Sequence, residues 1–161
     1  MPVPHIQHFH DEPTGTLSYV VSDPATGKAA IIDPVLGYAM SSGRTDTAPS
    51  DLLIDHIREN DLDLEWILET HAHADHLSAS AYLKSRTGGK TATGRFITGV
   101  QATFKNVFNL DDEFLPNGEQ FDRLHERPVV LLPYPVQIPG IMGDTDIDPF
   151  PGKYTLEALP P

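Results

Sequence analysis

The sequence predicts an α/β protein in which helices cover a mixed β-sheet. Two observations support this fold class: β-rich runs alternate with helix-forming segments, and the composition supports a core. The predicted strands occupy residues 16–22, 28–35 and 64–70, and the predicted helices begin near Ser50, Leu77 and Ile97. Alternation of this kind is typical of helices layered on a sheet. With 161 residues, of which 39% are hydrophobic, the chain can form one domain with a buried core.

The first two strands are expected to form an antiparallel hairpin. The segment between them, Asp23-Pro24-Ala25-Thr26-Gly27, is rich in turn-forming residues. After the hairpin, residues 37–49 are rich in Gly, Ser and Thr and show no periodicity, which predicts a surface loop.

The first helix is expected to begin at Ser50, which can act as its N-cap, with Asp51 in the first turn. Leu53 and Ile57 then lie one turn apart and predict a buried stripe. His56 falls on this helix, where we expect it to be solvated or packed and not to be a ligand.

The central strand runs through residues 64–70 and leads directly into His71. The sequence therefore predicts that the end of a strand presents the histidines. Residues 77–86 favour a second helix that ends at Gly88-Gly89, and residues 90–93 favour a short strand.

The last predicted helix carries an apolar stripe. Its members recur at helical spacing and are Ile97, Val100, Phe104, Val107 and Phe108. Thr98 and Gln101 match a capping box at its start. Because stripes of this kind usually pack in a core, burial is preferred over the alternative that the aromatic residues form a ligand site.

Composition excludes several kinds of function. With 11 basic and 23 acidic residues, the net charge of −12 disfavours nucleic acid and anionic membranes as partners. The absence of cysteine excludes disulfides, thiolate ligands and cysteine nucleophiles, so a metal ion must be held by His and carboxylate side chains. The N-terminus lacks a signal-peptide pattern and no long apolar run occurs, so we expect a soluble, cytoplasmic protein.

The C-terminal part of the sequence has a different character. Residues 125–161 hold eight of the fifteen prolines, which limits regular structure there. Residues 129–132 could form one short strand. The sequence therefore predicts a domain over residues 1–124 followed by an irregular, proline-rich tail over residues 125–161.

A metal-ligating motif follows the central strand. His71, His73, Asp75 and His76 lie within six positions, separated by small alanines. Such side chains are good ligands for Zn or Fe. In extended backbone His71 and His73 project to the same side, and a turn can bring Asp75 and His76 to the same point. One loop could thus bind one metal ion or two; the alternative is a solvated, histidine-rich turn.

Three further histidines, His5, His8 and His10, lie near the N-terminus with spacing that could recruit adventitious metal. An exposed strand is the preferred interpretation of that segment.

The motif resembles a known family. His71-Ala-His73-Ala-Asp75-His76 matches the HxHxDH signature of the metallo-β-lactamase fold, and residues 70–77 look most like the branch that contains persulfide dioxygenases. The segments Ile31-Ile32-Asp33-Pro34 and 104–124 are also similar to bacterial members of that branch. The resemblance covers about residues 5–124, and glyoxalase II-type thioester hydrolases carry a close version of the motif.

The resemblance implies an αβ/βα sandwich with the metal loop at one edge of two facing sheets. In the hydrolases, the positions that match the four ligand residues divide between two metal ions. In the persulfide dioxygenases, one Fe(II) is held by two His and one Asp, the first His matching His71, and three positions stay open for substrate and O₂. His73, Asp75 and His76 would then partly serve to orient the ligands and the substrate.

The chain departs from the family pattern after residue 124. Family members continue with a His in a Thr-Pro-Gly-His turn and an Asp in a Gly-Asp-Thr turn; the first is absent here. His125 and Asp144 in Gly143-Asp144-Thr145 could stand in for this His and Asp, but an accidental match is the preferred interpretation. We therefore expect an N-terminal half of the sandwich, with an uncovered sheet face that favours low stability, self-association to a homo-oligomer or a need for another chain.

The function implied by the resemblance is oxidation of glutathione persulfide to sulfite and glutathione, with Fe(II) as the metal and O₂ as the oxidant. The first alternative is a glyoxalase II-like hydrolase that cleaves an acylglutathione thioester with Zn or a mixed metal pair. The second is an inactive fragment that binds metal weakly or acts as an interaction module.

Overall fold

The computed structural model describes residues 3–126, and this part of the chain forms nine strands and three helices. The strands are β1 (His5–Asp11), β2 (Thr16–Ser22), β3 (Lys28–Ile32), β4 (Val35–Ala39), β5 (Arg44–Asp46), β6 (Asp63–Leu68), β7 (Leu77–Ser78), β8 (Lys90–Gly94) and β9 (Arg123–His125). The helices are α1 (Ala48–Glu59), α2 (Ser80–Thr87) and α3 (Ile97–Val107).

A six-stranded mixed sheet forms the centre of the molecule, in the order β1-β2-β3-β6-β8-β9. The first three strands are antiparallel, and β3, β6, β8 and β9 run parallel to one another. This confirms the predicted α/β class and the β2–β3 hairpin. In the hairpin turn, the Asp23 carboxylate accepts hydrogen bonds from the Ala25 amide at 2.9 Å and the Thr26 hydroxyl at 2.9 Å.

Both faces of the central sheet carry apolar side chains. One face packs Ile31 and Ile67 against Leu53 and Ile57 of α1 and Leu83 of α2. This confirms the buried stripe predicted for the first helix. The other face carries the cluster Val21, Ala30, Ile32, Leu68 and Ala92. Strands β3 and β6 therefore bury apolar side chains on both faces, and α1 and α2 pack on one of them, which gives the loops at the strand ends a rigid base.

Strand β1 lies at one edge of the sheet and exposes His5, His8 and His10. The expected exposed strand is confirmed.

The first helix begins earlier than predicted. Thr47 is its N-cap position and Pro49 lies in the first turn, where a fixed φ and a missing N–H cost nothing. Ser50 is not the cap: it is buried inside the helix and donates a hydrogen bond to the Val35 carbonyl at 2.8 Å. That bond ties α1 to β4.

The predicted surface loop at residues 37–49 contains strand structure. Strands β4 and β5 pair in a hairpin, and β4 also pairs with β7, so the three form a small second sheet. Leu77 and Ser78, predicted as the start of a helix, belong to β7, and α2 begins only at Ser80. These pairings join segments far apart in sequence, which local composition does not report.

The third helix differs most from its prediction. Its apolar residues were expected in a core, but none of its residues is buried, and Phe108 is 65% exposed. The rings of Phe104 and Phe108 instead stack on each other with centroids 5.5 Å apart. The capping box is also absent, because Thr98 donates to the Arg95 carbonyl and Gln101 contacts Gly118 and Gln120.

Two expectations concern residues beyond or at the end of the described range. Of the predicted proline-rich tail, only residues 125 and 126 fall within the described range, and Asp144 lies outside it. His125 ends β9 and its ring lies 6.4 Å from that of Trp66. In the described part of the chain, no helix has the length and apolar character needed to cross a membrane.

Candidate metal centre

The predicted ligand residues lie on a loop of residues 69–76, here termed the metal loop, which joins β6 to β7. Strand β6 lies between β3 and β8 in the central sheet, and all three run parallel. The metal loop therefore leaves the carboxyl edge of parallel strands, where α/β proteins commonly place ligands. Asp33 follows β3 at the same edge, and its amide donates to the Leu68 carbonyl at 2.9 Å.

His73 is held by two carboxylates. Its side chain is 7% exposed, and Nε2 donates to Asp33 Oδ1 at 3.1 Å and to Glu69 Oε2 at 2.9 Å. Burial lowers the pKa of His73, but the hydrogen bonds to Asp33 and Glu69 outweigh it and raise the pKa to about 9. Because Nε2 is engaged, Nδ1 is the nitrogen through which this imidazole could bind a metal ion.

His76 has a ring nitrogen without a hydrogen-bond partner among residues 3–126. Its side chain is 1% exposed, and Nδ1 lies 3.2 Å from Thr16 Oγ1 and 3.4 Å from Asp75 Oδ1. Its Nε2 is buried and makes no hydrogen bond within the described residues. A buried polar atom without a partner costs about 1–3 kcal/mol. A metal ion bound to Nε2 would remove that cost, so the residue fits a ligand role.

The rings of the three histidines are neighbours. The centroids of His71 and His73 lie 4.3 Å apart, and those of His73 and His76 lie 4.1 Å apart. Ligand atoms of His73, Asp75 and His76 all lie within 4.8 Å of one another. Asp75 is the exposed member, and a hydrogen bond from its own amide is the main reason that its pKa is lowered.

His71 stands apart from the other predicted ligands. It is exposed, its Nδ1 lies 2.8 Å from Thr70 Oγ1, and it joins neither of the ligand groups found in residues 3–126. The structure thus brings three of the four predicted residues together and leaves His71 beside them. The ligand role of all four stays a prediction.

Asp33 and Glu69 are the two residues that the sequence analysis did not place in the site. With His73 they form a second group of ligand atoms within 4.8 Å of one another. Asp33 also accepts hydrogen bonds from the Thr70 amide and hydroxyl, both at 2.7 Å. Burial raises the pKa of Asp33, but hydrogen bonds from His73 and Thr70 outweigh it and lower the pKa. The alternation of side chains could have indicated Glu69, because residues 69, 71 and 73 lie on the same side of an extended chain.

A cleft of about 250 Å³ opens beside the histidine rings. Its lining includes His71, His73 and His76 together with the apolar residues Leu77, Ile97 and Phe121. A few polar groups among apolar side chains are the usual composition of a small-molecule site.

The site and fold agree with the comparison to known families. Residues 11–155 match the family model described as the metallo-beta-lactamase superfamily. The chain belongs to the metallo-β-lactamase superfamily. The predicted family is therefore confirmed.

Curated relatives in the superfamily carry different activity names. The "Beta-lactamase hydrolase-like protein" of Agrobacterium fabrum is 50% identical over 124 residues, which are 77% of this chain and 28% of that protein. The human mitochondrial persulfide dioxygenase ETHE1 is 34% identical over 87 residues, which are 54% of this chain and 30% of that protein. Across the matched relatives, this chain spans between 28 and 41% of their length.

A solved structure shares the superfamily fold. The BLEG-1 B3 metallo-beta-lactamase superposes with a TM-score of 0.50 at 20% identity, over 75% of this chain and 53% of that one.

The donor set fits the metal centre of a superfamily member. It consists of imidazole nitrogens and carboxylate oxygens, which suit Zn and Fe, and it includes the buried, unpartnered Nε2 of His76. The residues that would hold a metal ion are His73, Asp75 and His76, whose ligand atoms lie within 4.8 Å of one another, with His71 adjacent.

Proposed function

We propose that this chain provides the metal-binding part of a persulfide dioxygenase, with Fe(II) as its metal and glutathione persulfide as its substrate. The observation that carries the metal site is the buried Nε2 of His76, which has no hydrogen-bond partner in the described residues and lies in a group with His73 and Asp75. His71, which the resemblance implies is the first iron ligand, lies beside this group, with its ring centroid 4.3 Å from that of His73. The choice of reaction is supported by the sequence similarity of residues 70–77 to the persulfide dioxygenase branch and by the human relative of that name.

The reaction is an oxidation that balances without a further reductant. Glutathione persulfide, O₂ and water give glutathione, sulfite and two protons, so the terminal sulfur is oxidised and O₂ is reduced. Bound iron would supply the redox chemistry and open coordination positions. The histidines of the cleft would hold the metal ion, and the apolar lining residues Leu77, Ile97 and Phe121 would give the sulfur atoms a weakly hydrated surface.

Hydrolysis of a glutathione thioester, with Zn as the metal, is the second candidate. It is favoured by the relative at 50% identity, whose name describes it as hydrolase-like. Asp33 and Glu69, which form a second ligand group with His73, would add carboxylate donors for a second metal ion. In that case the metal centre would supply a hydroxide nucleophile at neutral pH.

One pair of assays separates the candidates. The purified chain is loaded with Fe(II) under anaerobic conditions, or with Zn(II), and is then given glutathione persulfide or an acylglutathione thioester. We expect O₂ uptake and sulfite formation with the Fe(II) form, both lost in His76→Ala and retained in His5→Ala, an exposed histidine on β1. Thioester cleavage without O₂ uptake would replace the dioxygenase by the hydrolase. A chain that binds metal but turns over neither substrate would be the inactive fragment.

A further inference from the structure

Glu69 is a buried carboxylate at the start of the metal loop to which the proposed chemistry gives no task. Its side chain is 6% exposed. Its main chain is fixed on the sheet, because its amide donates to the Ala92 carbonyl at 2.9 Å and its carbonyl accepts from the Thr93 hydroxyl at 3.1 Å. The side chain therefore extends from a rigid base into the metal loop.

The two carboxylate oxygens of Glu69 face different parts of the loop. Oε1 accepts hydrogen bonds from the hydroxyls of Ser78 in β7 and Ser80 in α2, which lie where the loop returns to regular structure. Oε2 accepts from Nε2 of His73, in the middle of the loop, at 2.9 Å. One side chain thus connects the beginning, the middle and the end of the metal loop.

Asp33 has a different set of contacts. Its two shortest hydrogen bonds come from the amide and hydroxyl of Thr70, both at 2.7 Å, and its distance to His73 Nε2 is 3.1 Å. Asp33 mainly fixes the first residues of the loop. Glu69 makes the shorter contact with His73 and alone joins this imidazole to the serines.

We propose that Glu69 is a positioning residue for the metal centre: it holds the His73 imidazole with Nδ1 toward the metal ion and anchors it through Ser78 and Ser80 to β7 and α2. This role rests on the proposed metal site. Carboxylates that accept the second N–H of a metal-ligating His fix its tautomer and ring orientation and raise its basicity.

The hydrogen-bond donors around position 69 favour a carboxylate there. Three donors point at this side chain: two hydroxyls and one imidazole N–H. A carboxylate accepts on both oxygens, so it satisfies all three donors. A glutamine of the same size offers one oxygen. With its NH₂ group toward His73, two donors would meet; with its NH₂ group toward the serines, both hydroxyls would lose this acceptor and would have to turn to accept instead. Burial of the charge is compensated because every contact is a hydrogen bond to it.

The test measures the Zn²⁺ affinity of the full chain by competition with a chromogenic chelator. Glu69→Gln is compared with Glu65→Gln, which makes the same chemical change in the same segment of chain, at a residue that pairs with Lys28 away from the loop. We expect Glu69→Gln to weaken Zn²⁺ binding about 10- to 100-fold, the range found for partners of ligating histidines, and Glu65→Gln to leave it unchanged.

A double-variant comparison distinguishes positioning from a general loss of structure. If Ser80 acts through Glu69, Ser80→Ala alone weakens Zn²⁺ binding, and adding it to Glu69→Gln causes no further loss. Independent, multiplicative losses would overturn the connection. Should Glu69→Gln fail to fold, as judged by circular dichroism of the metal-free chain, Ser78→Ala and Ser80→Ala carry the test on affinity.

Nuclear magnetic resonance of the Zn²⁺-loaded chain measures exchange of the His73 ring N–H, which would not change if Glu69 only stabilised the fold. We expect the His73 ring to bind zinc through Nδ1 and to show a slowly exchanging Nε2–H signal, which exchanges faster in folded Glu69→Gln. Unchanged affinity and an unchanged Nε2–H signal in that variant would overturn the role of Glu69 and leave the metal site intact. Failure of the unmodified chain to bind Zn²⁺ or Fe(II) would instead overturn the metal site and this role together.

Discussion

The ring centroids of His73 and His76 lie 4.1 Å apart, and the two imidazoles form their hydrogen bonds through different ring nitrogens. His73 engages Nε2 with two carboxylates, whereas His76 engages Nδ1 with Thr16 and Asp75. The atoms left over are Nδ1 of the first ring and Nε2 of the second. Within residues 3–126 each of the two adjacent rings thus has one nitrogen without a hydrogen bond, as the proposed metal site requires.

Replacement of His76 should separate metal binding from folding. His76→Leu removes a buried nitrogen without a partner, which is favourable, and the hydrogen bond to Thr16, which is unfavourable. We therefore expect the metal-free free energy of unfolding to change by less than about 1 kcal/mol. The added stability that Zn²⁺ gives the unmodified chain should disappear. Urea unfolding with and without Zn²⁺ measures both, and a variant still stabilised by the ion would contradict the ligand role.

Asp33 should matter for stability even without metal. Asp33→Ala leaves the Thr70 amide and hydroxyl without their acceptor and places alanine at a φ of 49°, so we expect a loss of about 2–4 kcal/mol in free energy of unfolding. Asp33→Asn should lose less, because asparagine tolerates this backbone conformation and keeps one acceptor. Equal losses in the two variants, measured by urea unfolding, would argue against the hydrogen bonds as the cause.

The stability of the chain should depend on pH through His125. Burial, together with the charge of Arg123, lowers the pKa of this imidazole. The unfolded chain therefore binds a proton more readily than the folded chain, and the contribution of His125 to stability falls as the pH drops below about 6.5. Urea unfolding between pH 7.5 and 5.5 should show a smaller acid loss in His125→Gln than in the unmodified chain. Identical pH profiles would show that His125 is not responsible.

The exposed stripe on α3 predicts an unusual contrast between apolar substitutions. Phe108→Ser should change the free energy of unfolding by no more than about 0.5 kcal/mol, because this ring is 65% exposed. Leu53→Ala in the core should cost about 2–5 kcal/mol, since Leu53 is 1% exposed. A large loss in Phe108→Ser would mean that the stripe is covered in solution. Self-association stays a prediction. Sedimentation of the unmodified chain and of the double variant Phe104→Ser/Phe108→Ser tests it.

Local patterns were sufficient for most elements of the fold. The β2–β3 hairpin follows from the short turn at Asp23. The buried stripe of α1 follows from the spacing of its apolar residues. The strand before His71 follows from its β-forming residues. Each is decided within about ten residues of sequence, where propensity and period act directly.

The remaining features depend on contacts between distant segments. Asp33 and His73, which form a hydrogen bond, lie forty positions apart in sequence, and the paired strands β4 and β7 are separated by a similar distance. No local sequence pattern predicts either contact. Spacing on α3 correctly groups Phe104 with Phe108 on one face but does not say whether another element covers it. The group of His73, Asp75 and His76 could be predicted because its residues lie close in sequence, whereas Asp33, forty positions from His73, could not.

The most direct test of the metal centre is the metal content of the chain after loading with Fe(II) or Zn²⁺ and removal of free ions. The unmodified chain should retain about one equivalent or more. The variant His73→Ala/His76→Ala should retain none, and His5→Ala/His8→Ala, which removes two exposed histidines from β1, should retain as much as the unmodified chain. Equal metal content in the two double variants, or no bound metal in the unmodified chain, would contradict a centre built on the loop after β6.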